Sequence, residues 1–518
     1  MITYSSLIIM TLYIAATLLI SYRVNVRQSV GGDFSSGGKQ FGWFTAGVSI
    51  LATYISTMTF LGQPGWVYSS GMQAFIIHLN YPIVIFFAVV FFIPVFYKLG
   101  LTSIYEYLEL RFGVVARTIN SIVFILVQCI SAGVILYAVS LILVKILPVS
   151  IAEAIIYISL FTALYTYSGG ISTVIWTDML QSIVLFTGCV AIFVILLMNI
   201  STPYSAEVLS ALPDKLNIVN FDLSLSNDTT LWSGIAAVTF LHLSVYGSNQ
   251  LIIQRTLATK DVANAQKSML LCGYGAFFIY LFFSVLGVLL FIFYDGKEFA
   301  NSNNIILDFV LNHTNPIVIG LIMSALSAAA MSTLDSTYNS IATVATFDIY
   351  KRFFNPHKAA DHYDKIARKL SLIAAVLVII PALGAINNES VLKTIASLTS
   401  IFVGIRLGSF VLGLGFSKAN EKGIIAGSIT STIAIAICRL FDIAWPWYAP
   451  IGTGVFLLFA IIASALWGSN TTQQQQFIEQ QKTLFSKPST SQSMLLVFAL
   501  ITIGLCFFIP SWLSSVLM

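Results

Sequence analysis

Apolar stretches of about 20 residues recur along the whole chain and are separated by short polar segments. An apolar helix of that length crosses the hydrocarbon core of a bilayer, so the pattern predicts an all-α polytopic membrane protein. We expect fourteen spans, at residues 4–22, 42–68, 73–96, 119–146, 150–168, 173–198, 231–253, 269–294, 317–347, 369–387, 392–416, 423–441, 447–467 and 494–515.

The stretch 324–347 differs from the other spans because one face of its predicted helix is polar. That face carries hydroxyls, an amide and a carboxylate, at Ser332, Thr333, Asp335, Ser336 and Asn339. Polar groups at membrane depth cost free energy unless they meet a partner, a cavity or an ion. Oxygen atoms are the ligands of hard cations, so this face predicts ion-coupled transport.

Composition excludes several other classes of protein. Only 9% of the residues are charged, against about 25% in soluble domains, and 58% are hydrophobic. The net charge of +4 reflects the loops between spans, so we expect membrane lipid around the chain and no nucleic-acid partner. The five cysteines are scattered through predicted spans, which argues against a disulfide framework or a metal site.

Basic residues predict the orientation of the spans. With the N-terminus outside, 19 of the 25 lysines and arginines fall in cytoplasmic segments, as the positive-inside rule requires. An even number of spans then places both termini on the extracellular or periplasmic side. The first apolar stretch lacks a basic start and a small-residue cleavage site, so we expect it to be retained as a span.

Two predicted spans are interrupted. The second contains Gly62, Pro64 and Gly65 in its outer half, and the seventh contains Tyr246-Gly247-Ser248-Asn249. Broken helices at matching positions of two repeats indicate a transporter binding site. We therefore expect five organisational units: an extra helix and loop at 1–41, a first repeat at 42–198, an external loop at 199–230, a second repeat at 231–416, and extra helices at 417–518.

Six motifs follow one another in the order found in one family of transporters. They are GWFTAGVSILATYISTMTF (42–60), TSIYEYLELRF (102–112), YTYSGGISTVIWTDMLQ (165–181), NQLIIQR (249–255), AAAMSTLDSTYNS (328–340) and GFSKAN (415–420). The chain thus resembles the sodium/solute symporter family, which includes bacterial proline, galactose and sialic acid symporters and animal glucose, iodide and vitamin symporters. The resemblance implies a LeuT-like fold of two inverted five-helix repeats. It also implies a multi-pass protein of the plasma membrane that imports a small organic solute with Na⁺.

The resemblance also implies a main sodium site. In the family, this site uses backbone carbonyls of the first and eighth core helices and two neighbouring hydroxyls on the eighth. The matching positions here are Ala52, Ile55, Ala329, Ser332 and Thr333. A neutral cage of oxygens suits a monovalent ion that must also leave. Small residues also line ordinary contacts between membrane helices, which is the competing interpretation.

Some family members carry a second sodium site, built from an aspartate and from hydroxyls further along the eighth core helix. Asp178 and Ser336 match that site, whereas Asp335 stands where those members carry another serine. The extra carboxylate either strengthens a cation site or admits a proton. The competing interpretations are that Asp178 stabilises a helix end and that Asp335 faces water or pairs with a lysine.

The sequence predicts candidate residues for the solute site but does not restrict them to one segment. Candidates along the interrupted spans and their neighbours are Ser56, Thr57, Thr59, Gln63, His78, Ser131, Tyr246 and Arg406. Sialic acid symporters hold the substrate carboxylate with an arginine in the third core helix, and Ser131 occupies the aligned position. Arg406 departs from the family pattern inside a span. It is either a counter-charge for an anionic solute or one partner of a gate pair, or else an arginine that reaches the membrane surface or lies in the outer vestibule.

Other functions remain as alternatives. A proton-coupled transporter of the same fold is one, and a channel or solute sensor is another. The five histidines are scattered, which argues against a membrane enzyme, and no phosphate-binding G-x-x-x-x-G-K-[ST] motif is present. Sugars, inositols, small carboxylates, vitamins and amino acids all remain as solute classes, and the oligomeric state is open.

Overall fold

Helices form the framework of the protein in the computed structural model, which describes residues 4–28, 34–144, 148–200, 203–386, 401–485 and 487–517. Within those ranges there is no β-strand, and one isolated bridge joins Phe41 to Thr259. The all-helical class predicted from the apolar pattern is confirmed.

The helices follow one another in a simple order along the chain. They are α1 (Tyr4–Gln28), α2 (Trp43–Tyr54), α3 (Thr57–Ser70), α4 (Met72–Lys98), α5 (Tyr105–Arg111), α6 (Val114–Val144), α7 (Ile151–Asn199), α8 (Ala206–Leu216), α9 (Val238–Ser248), α10 (Gln250–Leu257), α11 (Val262–Phe293), α12 (Ile305–His313), α13 (Pro316–Phe354), α14 (Ala360–Gly384), α15 (Val403–Gly415), α16 (Glu421–Leu440), α17 (Tyr448–Leu466), α18 (Thr472–Lys482) and α19 (Thr490–Leu517).

Ten helices in the described residues are long and apolar enough to cross a membrane, and the bent pair α2–α3 makes eleven. The predicted spans 150–168 and 173–198 both fall within α7, where two helical segments meet at Gly170. The backbone of Gly170 is not helical, with φ 57° and ψ −150°, and its positive φ suits glycine. A Cβ at Gly170 would also lie 2.4 Å from the carbonyl oxygen of Phe34. The first part of the predicted span 392–416 lies outside the described residues.

The polar face predicted at 324–347 is not exposed to lipid. It belongs to α13, and all residues from 328 to 344 are buried. α13 packs against α7, α1, α6 and α14 and touches α2. Its hydroxyls and its carboxylate therefore face other helices, where partner atoms can satisfy them.

The first interruption lies elsewhere than the sequence predicts. The chain bends by 56° between α2 and α3, at Ile55 and Ser56, and not at Gly62, Pro64 or Gly65. Those three residues lie inside α3, where the glycine at 65 allows the backbone of Ser302 to approach closely. A prolyl residue in the second turn or later of a helix removes one hydrogen bond, and here the helix continues past it.

The second interruption lies where the sequence places it. α9 ends at Ser248, and Asn249 adopts extended backbone angles, φ −118° and ψ 120°. The Asn249 side chain then accepts a hydrogen bond from the amide of Leu251 and begins α10. An asparagine is a favoured residue for this capping role, which explains why the chain breaks at this point.

Candidate functional site

The bend between α2 and α3 places backbone carbonyls beside α13. Ile55 has non-helical angles, φ −80° and ψ 88°, so the last carbonyls of α2 lack amide partners of a continuing helix. The Thr333 hydroxyl lies 3.2 Å from the carbonyl oxygen of Thr53 and 3.2 Å from that of Ala329. The structure thus brings the two elements of the predicted main sodium site together. All five of its residues are buried: Ala52, Ile55, Ala329, Ser332 and Thr333.

Asp178 on α7 lies next to this region as part of a buried ion pair. Its carboxylate is 3.4 Å from the Arg255 guanidinium, and both side chains are fully buried. Ser49 and Ser332 each donate a hydrogen bond to the Asp178 carboxylate. The Ser332 hydroxyl therefore connects the predicted main site to the charged pair.

Arg255 contacts several members of this cluster, which its position at the end of a predicted span did not indicate. The guanidinium donates to Ser49 at 2.8 Å and to the carbonyl of Leu251 at 2.6 Å, and it also donates to Ser336. A buried guanidinium with several acceptors holds its neighbours in fixed orientations. Arg255 thus joins α10 to α2, α7 and α13.

Asp335 lies on α13, fully buried, beside the Asp178–Arg255 pair. Its carboxylate accepts hydrogen bonds from Tyr165 at 2.9 Å and from Ser336 at 3.1 Å, and Thr177 lies 3.4 Å away. It forms no ion pair with any residue in the described part of the chain. Because the side chain is fully buried, it does not face bulk water, and none of its contacts in the described residues is a lysine.

A separate cavity of about 380 Å³, here called the α3 cavity, opens beside α3. Its lining residues are Thr59, Gly62, Gln63, Trp66, Ile77, His78, Tyr280 and Asn303. Three of the predicted solute residues are among them: Thr59, Gln63 and His78. None of the eight is an Asp, Glu, Lys or Arg, so amides, hydroxyls and aromatic rings provide the contacts.

His78 forms part of an ordered wall of this cavity. One ring nitrogen lies 3.1 Å from the Gln63 amide oxygen, and the other lies 3.2 Å from the Tyr81 hydroxyl. Its ring stacks on that of Tyr280, with centroids 3.6 Å apart. Gln63 is held in turn by its amide nitrogen, which donates to Ser284 at 2.9 Å.

The other predicted solute residues do not line the α3 cavity. Ser56 begins α3 at the bend, and the side chain of Thr57 lies outside the described part of the structure. Tyr246 is fully buried against Tyr54, with ring centroids 5.3 Å apart. Ser131 on α6 and Arg406 on α15 are likewise not among the lining residues.

Sequence reasoning missed several residues of these two sites. Ser49 joins the Asp178 cluster, and Tyr280 and Trp66 complete the α3 cavity. His242 stacks with Tyr81 at 4.5 Å, although 160 residues separate them. Single serines and aromatic residues are common in such a chain, so no spacing signal distinguishes these side chains from ordinary packing residues.

The charged residues of the motif 102–112 lie outside the long spans and form a different network. Arg117 lies 2.8 Å from Glu109 and 2.5 Å from Asp348. Burial raises the pKa of Glu106, an effect that the nearby Arg117 opposes. Arg111 donates to main-chain carbonyls that include those of Phe416 and Ala419, so it fastens α5 to the segment after α15.

Comparison with known proteins gives a consistent result. Residues 34–431 match the sequence profile of the sodium:solute symporter family. The sodium/sialic acid symporter SiaT of Proteus mirabilis is 29% identical over 466 residues, which cover 88% of this chain and 94% of that protein. The human sodium/iodide cotransporter is 28% identical over 76% of this chain and 63% of its own length.

Solved structures agree with the sequence matches. A sodium-coupled sialic acid symporter, described as substrate-bound, outward-open and containing a novel sodium site, superposes with a TM-score of 0.82 at 27% identity. That match covers 90% of this chain and 99% of the other. Mhp1, a nucleobase-cation-symport-1 family transporter, matches with a TM-score of 0.55 at 14% identity, which indicates a shared fold alone.

Proposed function

The chain belongs to the sodium:solute symporter family, and we propose which of its residues carry the coupled transport. The protein is a multi-pass integral membrane transporter of the plasma membrane, with Na⁺ as its coupling ion and a small solute as its cargo; it is not an enzyme. The comparisons do not favour the proton-coupled, channel or sensor alternatives.

The main sodium site is proposed at the bend between α2 and α3. Carbonyl oxygens of Ala52, Ile55 and Ala329, together with the hydroxyls of Ser332 and Thr333, would surround the ion. The observation that carries this proposal is the Thr333 hydroxyl, which lies 3.2 Å from carbonyls on both α2 and α13. Neutral oxygens from two separate helices form a site that changes when the helices move apart, which is what coupling requires.

A second cation site is proposed at Asp335, with Ser336 and the neighbouring Asp178. Asp178 and Arg255 neutralise each other, so Asp335 leaves one formal negative charge in a buried cluster. A buried charge without a partner is costly, and a sodium ion or a proton would compensate it. Tyr165, Thr177 and Ser336 supply additional oxygens at 2.9 to 3.4 Å from the carboxylate.

The solute is proposed to bind in the α3 cavity. The cavity begins about one turn from the sodium ligands of the bend, since Thr59 lines it and Ile55 lies four residues earlier. Gln63 and His78 offer hydrogen-bonding atoms, while Tyr280 and Trp66 offer aromatic faces. This proximity would let sodium order the helix that also contacts the solute, so that each ligand improves the binding of the other.

The arrangement in the membrane is proposed as fourteen spans with both termini outside. Two inverted repeats, 42–198 and 231–416, would follow the extra unit 1–41 and be joined by the external loop 199–230, with 417–518 added at the end. The bend between α2 and α3 lies in the first span of the first repeat, and the bend between α9 and α10 lies in the first span of the second. These matching positions support this division. The α3 cavity would then open to the outside.

Transport by purified protein in liposomes tests this function. A panel of labelled sugars, inositols, carboxylates, vitamins and amino acids is offered with an inward sodium gradient and, as the control, with an equal potassium gradient. We expect at least one solute to accumulate above its external concentration with sodium alone. Sodium-independent equilibration of every solute that enters would instead indicate a channel.

A further inference from the structure

Arg406 is a buried cation without a partner of opposite charge in the described residues. Its side chain is 4% exposed, and no carboxylate there forms an ion pair with it. One terminal nitrogen donates to the Ser244 hydroxyl at 2.9 Å, while Nε has no hydrogen-bond partner among the described residues. A buried guanidinium normally has both its charge and its N–H groups satisfied, so the described part of the chain leaves this environment incomplete.

Two further hydrogen-bond donors lie close to Arg406. Tyr105 is fully buried, its ring packs on that of Phe410 with centroids 6.2 Å apart, one turn along α15 from Arg406, and its hydroxyl has no hydrogen-bond partner among the described residues. The backbone amide of its neighbour Ile104 donates to the Gln250 side-chain oxygen at 2.9 Å, which brings this segment to the start of α10. Gln250 is the first residue of α10, so its amide has no acceptor within that helix and lies at the positive end of the helix dipole.

We propose that Arg406, Tyr105 and the start of α10 bind a small monovalent anion. The three groups offer N–H and O–H donors and positive charge, and within the described residues neither Arg406 Nε nor the Tyr105 hydroxyl has a hydrogen-bond partner. A halide ion or a carboxylate group accepts hydrogen bonds and carries the missing negative charge, so either would complete the environment. The carboxylate would belong to a small carboxylate solute that occupies this site rather than the α3 cavity, and that source alone rests on the proposed symport function.

The anion site is distinct from the sites already described. None of Arg406, Tyr105 and Gln250 lines the α3 cavity, and Arg255 rather than Arg406 neutralises Asp178. The site lies beside the break at Asn249, where α9 ends and α10 begins. An anion held there would join α15 to both halves of the broken helix and stabilise their relative position.

Thermal unfolding of the purified protein tests for a free halide. Sodium concentration is held constant while chloride or bromide replaces HEPES, whose anion is bulky. We expect a saturable rise in the unfolding midpoint for the unaltered protein, and loss of that rise in Arg406→Gln. The control Arg439→Gln removes an exposed arginine at the end of α16 and should keep the full response.

Tyr105→Phe provides a second test of the proposed site if Arg406→Gln does not fold. It removes the hydroxyl and keeps the ring that packs on Phe124 and Phe410 at 5.7 and 6.2 Å. We expect the halide concentration for half of the midpoint rise to increase about tenfold, as loss of one charge-assisted hydrogen bond predicts. An unchanged halide response in this variant, with a full response in the unaltered protein, would overturn the proposal.

The second source is tested with small carboxylates. If halides have no effect, stabilisation by acetate, lactate or pyruvate that disappears in Arg406→Gln would assign the site to the carboxylate of a solute. No stabilisation by halides or carboxylates would overturn the proposal. Sodium-gradient-driven uptake measured on the same preparation separates this failure from failure of the proposed symport function.

Discussion

Three buried charged side chains lie close together at the centre of the molecule, and each one has a different effect. Asp178 and Arg255 form an ion pair that also holds Ser49, Ser332 and Ser336 in place. Asp335 adds a negative charge that no described residue pairs. Substitution of Asp178 leaves a buried positive charge unpaired and should lower stability. Substitution of Asp335 leaves no charge unpaired and should instead alter ion coupling.

The variant Asp178→Asn should lose stability. It leaves the Arg255 guanidinium buried without its carboxylate, and such a loss costs about 3 to 5 kcal/mol. Thermal unfolding in detergent measures the effect, and the double variant Asp178→Asn/Arg255→Gln should recover part of the loss because neither charge remains. A single variant as stable as the unaltered protein would contradict the ion pair.

Asp335→Asn should fold normally because it leaves no positive charge unpaired. If a cation occupies this position, the Hill coefficient for sodium in uptake should fall towards one. If a proton does, the pH dependence of uptake should flatten while the sodium coefficient stays the same. The control Asp361→Asn alters an exposed carboxylate on α14 and should change neither curve. Unchanged sodium and pH curves for Asp335→Asn would argue against both roles.

The broken helices show what can be predicted from sequence at the level of elements. The break at Asn249 was predictable because an asparagine that caps a helix follows a glycine and a serine. The break at Ile55 was predicted in the wrong place, although its residues were matched to the sodium site by family resemblance. Neither Ile55 nor Ser56 disfavours helix strongly, so contacts with α13 and α11 fix the bend, and those contacts have no local sequence signal.

Two glycines of α3, Gly62 and Gly65, form a matched pair that tests whether Gly65 is needed for close packing against Ser302. Gly65→Ala would place a Cβ 2.5 Å from the Ser302 carbonyl oxygen, whereas the nearest atom to a Cβ at Gly62 is 3.9 Å away. We expect Gly65→Ala to destabilise the protein by about 1 to 3 kcal/mol, as overpacking does, and Gly62→Ala to leave stability equal or slightly higher. Thermal unfolding compares them, and equal destabilisation by both would contradict the packing role of Gly65.

At the scale of the whole molecule, many polar side chains of the long helices are buried between helices, while the outward faces of those helices are apolar. α13 is surrounded by other helices, while α1, α16 and α19 expose many large apolar side chains. Composition predicted this division and the helical class. Composition could not locate the α3 cavity, because side chains of α3, α4 and α11 line it together with Asn303. No single segment of sequence indicates that these side chains contact one another.

The proposed orientation is testable with introduced cysteines. Among the native cysteines four are buried and Cys129 is half-buried, so a membrane-impermeant thiol reagent should give a low background in intact cells. We expect Ser226→Cys in the loop 199–230 to react from outside, and His357→Cys, between α13 and α14, to react only after permeabilisation. The reverse pattern would invert the orientation.

The sodium dependence of uptake by Ser332→Ala/Thr333→Ala is the most direct test of the central claim, that sodium binds between α13 and the bend of α2–α3. The protein should fold, because alanine suits a helix, while the ion loses two of its five oxygen ligands. We predict a rise of about a hundredfold or more in the sodium concentration for half-maximal uptake, since each of the two lost ligands costs ~1.5 kcal/mol or more. Ser324→Ala removes a buried hydroxyl that lies about two turns earlier on α13 and donates to the Gly320 carbonyl; it is the matched control and should retain normal dependence. An unchanged sodium curve in the well-expressed double variant would contradict the account.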